Sequence, residues 1–128
     1  MQARCCCGSL TLGVTGAPVM NAICHCDDCK RRTGAAFGWS VYFLDAAVSQ
    51  PQGEARTYAF DAASGRQERS FCPNCGSTVF WRSAAFGGLT GVAGGCLPPD
   101  EVGEPNISGT DPKRCAWITL PEGWGAFP

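Results

Sequence analysis

Ten cysteines in a chain of 128 residues constrain this protein more than any other feature of its sequence. Eight of them stand in three tight groups: Cys5-Cys6-Cys7, Cys24-His25-Cys26-Asp27-Asp28-Cys29, and Cys72-Pro73-Asn74-Cys75. Disulfides require an oxidising compartment and a route to it. The start, Met1-Gln-Ala-Arg-Cys5, has no basic segment followed by an apolar one, so no secretory leader is read there and a cytoplasmic location is expected. Metal binding, by contrast, calls for short Cys-x-Cys and Cys-x-x-Cys spacings, and those are present.

The third group is the most specific locally. Two thiols separated by two residues can grip one tetrahedral ion from a tight turn. Pro73 pre-sets the backbone of that turn, and Gly76 can take a positive φ so that amide N–H groups face sulfur. Such a knuckle supplies half of a closed shell. Cys5 and Cys7 are its natural partners, because residues i and i+2 of an extended segment face the same side while Cys6 points away. A site closed by Cys5, Cys7, Cys72 and Cys75 would contribute folding energy rather than chemistry.

The middle group offers Cys24, Cys26 and Cys29. Three protein ligands with a vacant fourth position are the pattern of a catalytic or ligand-binding metal. Water, a substrate thiolate or His25 could fill the vacancy; alternatively Cys96 or Cys115 completes a second closed, structural shell. His25, the sole histidine, lies between two ligands and is expected to point away from them, in a supporting or surface role. Lys30-Arg31-Arg32 follow at once. They are either a solvated turn that offsets nearby negative charge, or a receptor for the carboxylates of an anionic thiol. Cys6, Cys96 and Cys115 read most simply as buried small apolar side chains.

The remaining sequence supports an all-β domain spanning 1–128. Short β-branched or aromatic runs at Ser9–Val14, Phe37–Phe43, Arg56–Phe60, Glu68–Phe71, Thr78–Trp81, Leu89–Val92 and Ala116–Leu120 alternate with turn residues. One short helix is expected at Asp27–Thr33, stopped by Gly34. The Pro-rich stretch from Leu97 to Pro112 reads as a long surface loop. Ten basic and eleven acidic residues give a net charge of −1, without the basic stripe of a general nucleic-acid binder. No apolar stretch is long enough to span a bilayer.

Taken in order, Cys5-Cys6-Cys7-Gly8, Cys24-His25-Cys26-Asp27-Asp28-Cys29-Lys30 with Gly34, and Phe71-Cys72-Pro73-Asn74-Cys75-Gly76-Ser77 resemble the glutathione-dependent formaldehyde-activating enzyme family, relatives of centromere protein V. Pro105-Asn106-Ile107, Lys113 and Trp117 are similar to that family's ending. The resemblance implies a Mss4-like β-tent of small antiparallel sheets stapled by two zinc ions. It assigns a structural zinc to Cys5, Cys7, Cys72 and Cys75, and a zinc of catalytic type to Cys24, Cys26 and Cys29. It implies a carbon–sulfur lyase that joins glutathione and formaldehyde into S-(hydroxymethyl)glutathione, with Lys30, Arg31 or Arg32 holding glutathione carboxylates. The alternatives are a non-catalytic zinc module that binds a protein partner or a thiol, and a redox or zinc sensor.

Overall fold

A computed structural model describes residues 1–128. Its strands form two sheets. The smaller pairs β1 (Gln2–Arg4) with β2 (Thr11–Gly13) in antiparallel fashion, and β2 is extended by isolated bridges from Thr11 to Gln52 and Val14 to Val48. The larger holds β3 (Met20–Cys24), β4 (Gly38–Leu44), β5 (Arg56–Ala62), β6 (Gly65–Phe71), β7 (Thr78–Ser83), β8 (Leu89–Ala93), β9 (Ile107–Gly109) and β10 (Gly125–Phe127). Their order is β10-β9-β3-β4-β8-β7-β6-β5. Neighbours are antiparallel except around β9, which runs parallel to both β3 and β10.

Alternation along β4 separates the two faces of the large sheet. Val41 and Phe43 point to one side, where they are fully buried against Leu10, Leu12, Val14, Val79 and Val92. This is the core, closed between the large sheet and the β1–β2 ribbon. Each fully buried aliphatic or aromatic side chain contributes about 1.5–3 kcal/mol here. Cys5 and Cys72 belong to the same buried cluster. Ser40 and Tyr42 point to the other face, which carries the cavity described below.

One cross-strand row on that second face runs through six strands. Tyr58 pairs with Arg69, Arg69 with Trp81, Trp81 with Gly91, Gly91 with Tyr42, and Tyr42 with Met20. Gly91 interrupts the row. A Cβ there would lie 2.1 Å from the Trp81 Nε1, so only glycine lets the indole lie across β8.

Helix α1 (Asp27–Thr33) forms where expected, and its caps explain it. The Cys26 sulfur accepts the Cys29 N–H at 3.3 Å, in the role usually taken by Ser or Asp. Gly34 closes the far end at φ 65°, its N–H reaching the Lys30 carbonyl at 2.8 Å. Asp27 and Asp28 sit in the first turn and Lys30, Arg31 and Arg32 in the last, matching the helix dipole.

Three expectations need correction. Residues 116–120 form a turn and irregular chain rather than a strand. The expected surface loop contains helix α2 (Pro99–Val102), whose Val102 is buried, and strand β9 in the interior of the sheet. A three-residue strand carries too little alternation to be read locally, and its parallel partners lie far away in sequence. The strands that were expected to form small antiparallel sheets mostly join one mixed sheet of eight.

The division of faces predicts the cost of two neighbouring truncations. Phe43→Ala is expected to destabilise the fold by about 3–5 kcal/mol, while Leu44→Ala, whose side chain is 58% exposed, should change it by no more than about 0.5 kcal/mol. Denaturant unfolding of both variants measures this, and a reversed ranking would contradict the placement of the core.

Candidate functional site

All ten cysteines are free thiols, and seven of them converge in two groups, Cys5–Cys7–Cys72–Cys75 and Cys24–Cys26–Cys29. Within each, every sulfur lies within 4.8 Å of the others.

The four-thiol group joins the end of β1 to the connection between β6 and β7. A register shift between Ser70 and Phe71 turns the chain out of β6 just before Cys72. The knuckle then closes through the Gly76 N–H to the Cys72 carbonyl at 2.8 Å, with Gly76 at φ 78°. On the N-terminal side the geometry differs from expectation. Cys5 to Cys7 lie beyond β1 in a tight turn, closed by the Gly8 N–H on the Cys5 carbonyl at 3.1 Å. The turn, not an extended strand, brings the two sulfurs together and leaves Cys6 exposed rather than buried. The Cys6 N–H instead anchors on the Ser77 hydroxyl at 3.1 Å.

The spacing fits a metal. A tetrahedral ion held at about 2.3 Å by thiolates sets its sulfurs about 3.8 Å apart. Cys5 and Cys7 sulfurs are 3.6 Å apart, and Cys7 and Cys72 sulfurs 3.7 Å. Polar neighbours are arranged for thiolates. The Ser9 hydroxyl lies 3.0 Å from Cys7 and 3.2 Å from Cys72, and the Leu10 N–H donates to Cys5 at 3.3 Å. The Ser9 hydroxyl, with help from Asn74, lowers the Cys7 pKa to about 5, and the Ser77 hydroxyl lowers that of Cys75 to about 7.

The three-thiol group comes from the end of β3 and the first turn of α1. Here the thiols compete for charge. Hydrogen bonds from Cys26 and then Cys29 hold Cys24 far below its usual pKa, while the bonds of Cys29 to Cys24 and then Cys26, with burial, drive Cys29 far above. Like charges this close need a cation before all three can ionise together. Neither Cys96 nor Cys115 joins the group. Cys96 is half-buried beside the core with its sulfur 3.9 Å from the Thr78 carbonyl, and Cys115 is half-buried. The group therefore consists of three thiols.

His25 does point away from the thiols, but into the interior, where it is fully buried. Its Nε2 donates to the Ser108 hydroxyl at 3.0 Å, which in turn donates to Asp111 at 2.7 Å. Together with the His25 N–H on the Gly109 carbonyl, this chain fixes the corner between β3 and α1 against β9.

The three thiols open into a cavity of about 370 Å³ on the second face of the large sheet. Its walls are mainly apolar, with Tyr42, Trp81, Phe86 and Phe127 supplying aromatic surface and Arg32 and Arg69 the positive charge. Of the three basic residues singled out in the sequence, only Arg32 faces this space. Lys30 instead donates to the Lys113 carbonyl at 2.7 Å, and Arg31 is exposed outside the lining. The Arg32 guanidinium stacks 4.2 Å from the Trp81 ring, and its Nη2 is buried without a hydrogen-bond partner in the protein. Gly38 makes room for it, since a Cβ there would come within 2.6 Å of that nitrogen.

Sequence reasoning missed Arg69 and Thr110. Arg69 enters the site only through its register opposite Trp81. Thr110 places its hydroxyl 3.8 Å from the Cys24 sulfur, and is the one non-glycine residue with positive φ, at 51°. A strained β-branched residue at a site is a recognisable signal, but it is one of backbone geometry and leaves no mark in composition.

Comparisons with known proteins agree with these observations. The protein-family model described as "Glutathione-dependent formaldehyde-activating enzyme" matches residues 1–110. A crystal structure of a Rhodobacter sphaeroides protein superposes with a TM-score of 0.64 at 20% identity, covering 82% of this chain and 97% of that one. At that identity the likeness is one of fold. No curated protein matches the chain.

The two thiol groups predict different responses to loss of one ligand. Cys29→Ser should reduce bound metal by one ion per chain and leave the protein folded. Cys75→Ser should remove the other ion and prevent soluble folding. Metal analysis with circular dichroism measures both, and a stable, folded Cys75→Ser protein would contradict the structural role.

Proposed function

The chain belongs to the glutathione-dependent formaldehyde-activating enzyme family, and from that premise we propose that it is a zinc-dependent carbon–sulfur lyase-type enzyme. It would join glutathione, or a similar thiol, to formaldehyde or another small aldehyde as the S-hydroxymethyl adduct. The observation that carries this reading is that a thiol group able to hold a metal opens into a cavity with unpaired positive charge in its wall.

In this reading Cys5, Cys7, Cys72 and Cys75 hold one zinc for stability, and Cys24, Cys26 and Cys29 hold the second. Zinc at the second position supplies charge that favours a thiolate sulfur and polarises a carbonyl oxygen. The remaining work belongs to the protein. Arg32, braced on Trp81 and already desolvated, takes one glutathione carboxylate, and Arg69 takes the other. Asp28, also in the lining, is placed for the ammonium group. Aromatic walls exclude water and so strengthen each of these contacts. A small aldehyde then meets the sulfur already in place.

The same reading treats residues 1–128 as one domain acting in the cytoplasm on a small thiol, without nucleic-acid or membrane partners. No helix is long and apolar enough to cross a membrane. A non-catalytic zinc module that binds the thiol without turning it over is the rival, and it uses the same cavity.

NMR exchange spectroscopy separates the two. With glutathione and formaldehyde at equilibrium, exchange into S-(hydroxymethyl)glutathione should speed up in proportion to metal-loaded protein, and Cys29→Ser should abolish the increase. Unchanged exchange with fully loaded protein would contradict the enzyme reading and leave the binding module.

A further inference from the structure

We propose that the Tyr42 hydroxyl is the oxygen subsite of this cavity: it hydrogen-bonds to the carbonyl oxygen of the small aldehyde and gives it a proton as the thiol sulfur adds to carbon. The inference rests on the thiol–aldehyde reading above, which supplies a place for sulfur and for carboxylates but none contributed by the protein for the aldehyde oxygen.

Register sets the geometry. Trp81 and Tyr42 both pair with Gly91, from opposite sides of β8. Because Gly91 has no side chain, the indole crosses the strand, and its Nε1 reaches the Tyr42 oxygen at 3.2 Å. An indole N–H can only donate, so in this contact the phenol oxygen is the acceptor. Its own hydrogen then has to be given elsewhere, and no protein group accepts it. Tyr42 is 8% exposed and lines the cavity, so that hydrogen has only the cavity to serve.

The phenol is also held still. Phe86 packs on it with ring centroids 4.8 Å apart, and Trp81 meets it edge-on at 6.4 Å. Trp81 is in turn clamped by the Arg32 guanidinium. Burial raises the Tyr42 pKa, against the opposing effect of the Trp81 hydrogen bond. The hydroxyl therefore keeps its proton at neutral pH, and it lines the same cavity as the three thiols. A fixed donor beside the site where charge develops on oxygen is the usual requirement for stabilising such an addition.

The step balances. The thiol gives its proton to water as it enters the site as thiolate. A sulfur lone pair then forms the C–S bond, the C=O π pair moves to oxygen, oxygen takes the phenol proton, and the proton held by water returns to the phenolate. In reverse, the adduct O–H returns its proton to the phenolate as the C–S bond breaks. Arg32 binds and Trp81 positions; of the three residues, Tyr42 is the one that would touch the reacting oxygen.

Tyr42→Phe removes one oxygen atom and tests this directly. Exchange of glutathione and formaldehyde into the adduct should fall by about 100-fold, while metal content and the affinity for S-methylglutathione, which has no reacting oxygen, stay unchanged. Trp81→Phe provides a second test should Tyr42→Phe fold poorly, because it keeps the phenol and an aromatic ring beside Arg32 while removing the indole N–H that orients the hydroxyl; a smaller loss of exchange at saturating glutathione is expected, and no loss would contradict the oriented donor. Exchange by Tyr42→Phe as fast as by the unmodified protein would overturn the oxygen subsite and leave the enzyme reading intact. Failure of the unmodified protein to accelerate exchange would overturn both.

Discussion

The convergence of four thiols from the start and the middle of the chain is the constraint on which the rest depends. Cys7 and Cys72 are separated by 65 positions, yet their sulfurs approach to 3.7 Å. Four thiols at such spacing cannot all ionise without a cation between them, and once ionised around one they bind it tightly. The group sits where the β1–β2 ribbon meets the β6–β7 connection, with Cys5 and Cys72 already inside the apolar core. A metal held there would close the core in the same event. A ribbon of two three-residue strands would be marginal alone; anchored at this point, it covers the buried face of the large sheet.

With one face of that sheet closed, the other is free to carry a site. The logic there is different. The group there has three thiols rather than four, and all three line a mainly apolar cavity. Two glycines shape the cavity by what they lack: Gly38 admits Arg32, and Gly91 lets Trp81 cross to Tyr42. The buried His25–Ser108–Asp111 chain fixes the corner that presents Cys24 and Cys26. In the proposed function, the closed thiol group and the core supply stability, while the three-thiol group supplies the chemistry.

Much of this was legible in the sequence because metal ligation is local. The spacing of Cys72 and Cys75 with Gly76, and of Cys26 and Cys29 in a capped helix, dictates geometry within a few residues, and both formed as read. The family motifs were equally local. What the sequence hid depends on register. Arg69 and Tyr42 enter the site only through their pairing with Trp81 and Gly91, and nothing in either segment announces that pairing. Lys30 and Arg31 look equivalent to Arg32 in a linear reading, but successive residues on a helix point about 100° apart, so one of the three faces the cavity. The interior position of β9 was hidden for a related reason, since its partners lie far away in sequence and its three residues show no period.

The central claim is that the three-thiol group is an open metal site at which a thiol sulfur from the cavity completes the shell. X-ray absorption at the edge of the bound metal, recorded with and without glutathione, measures the ligands directly. The account predicts that the mean sulfur count per metal rises toward four when glutathione is added, with loss of the light-atom ligand, and that Cys29→Ser protein, left with only the closed site, shows no such change. A spectrum of the fully loaded protein that is unaltered by saturating glutathione would contradict it.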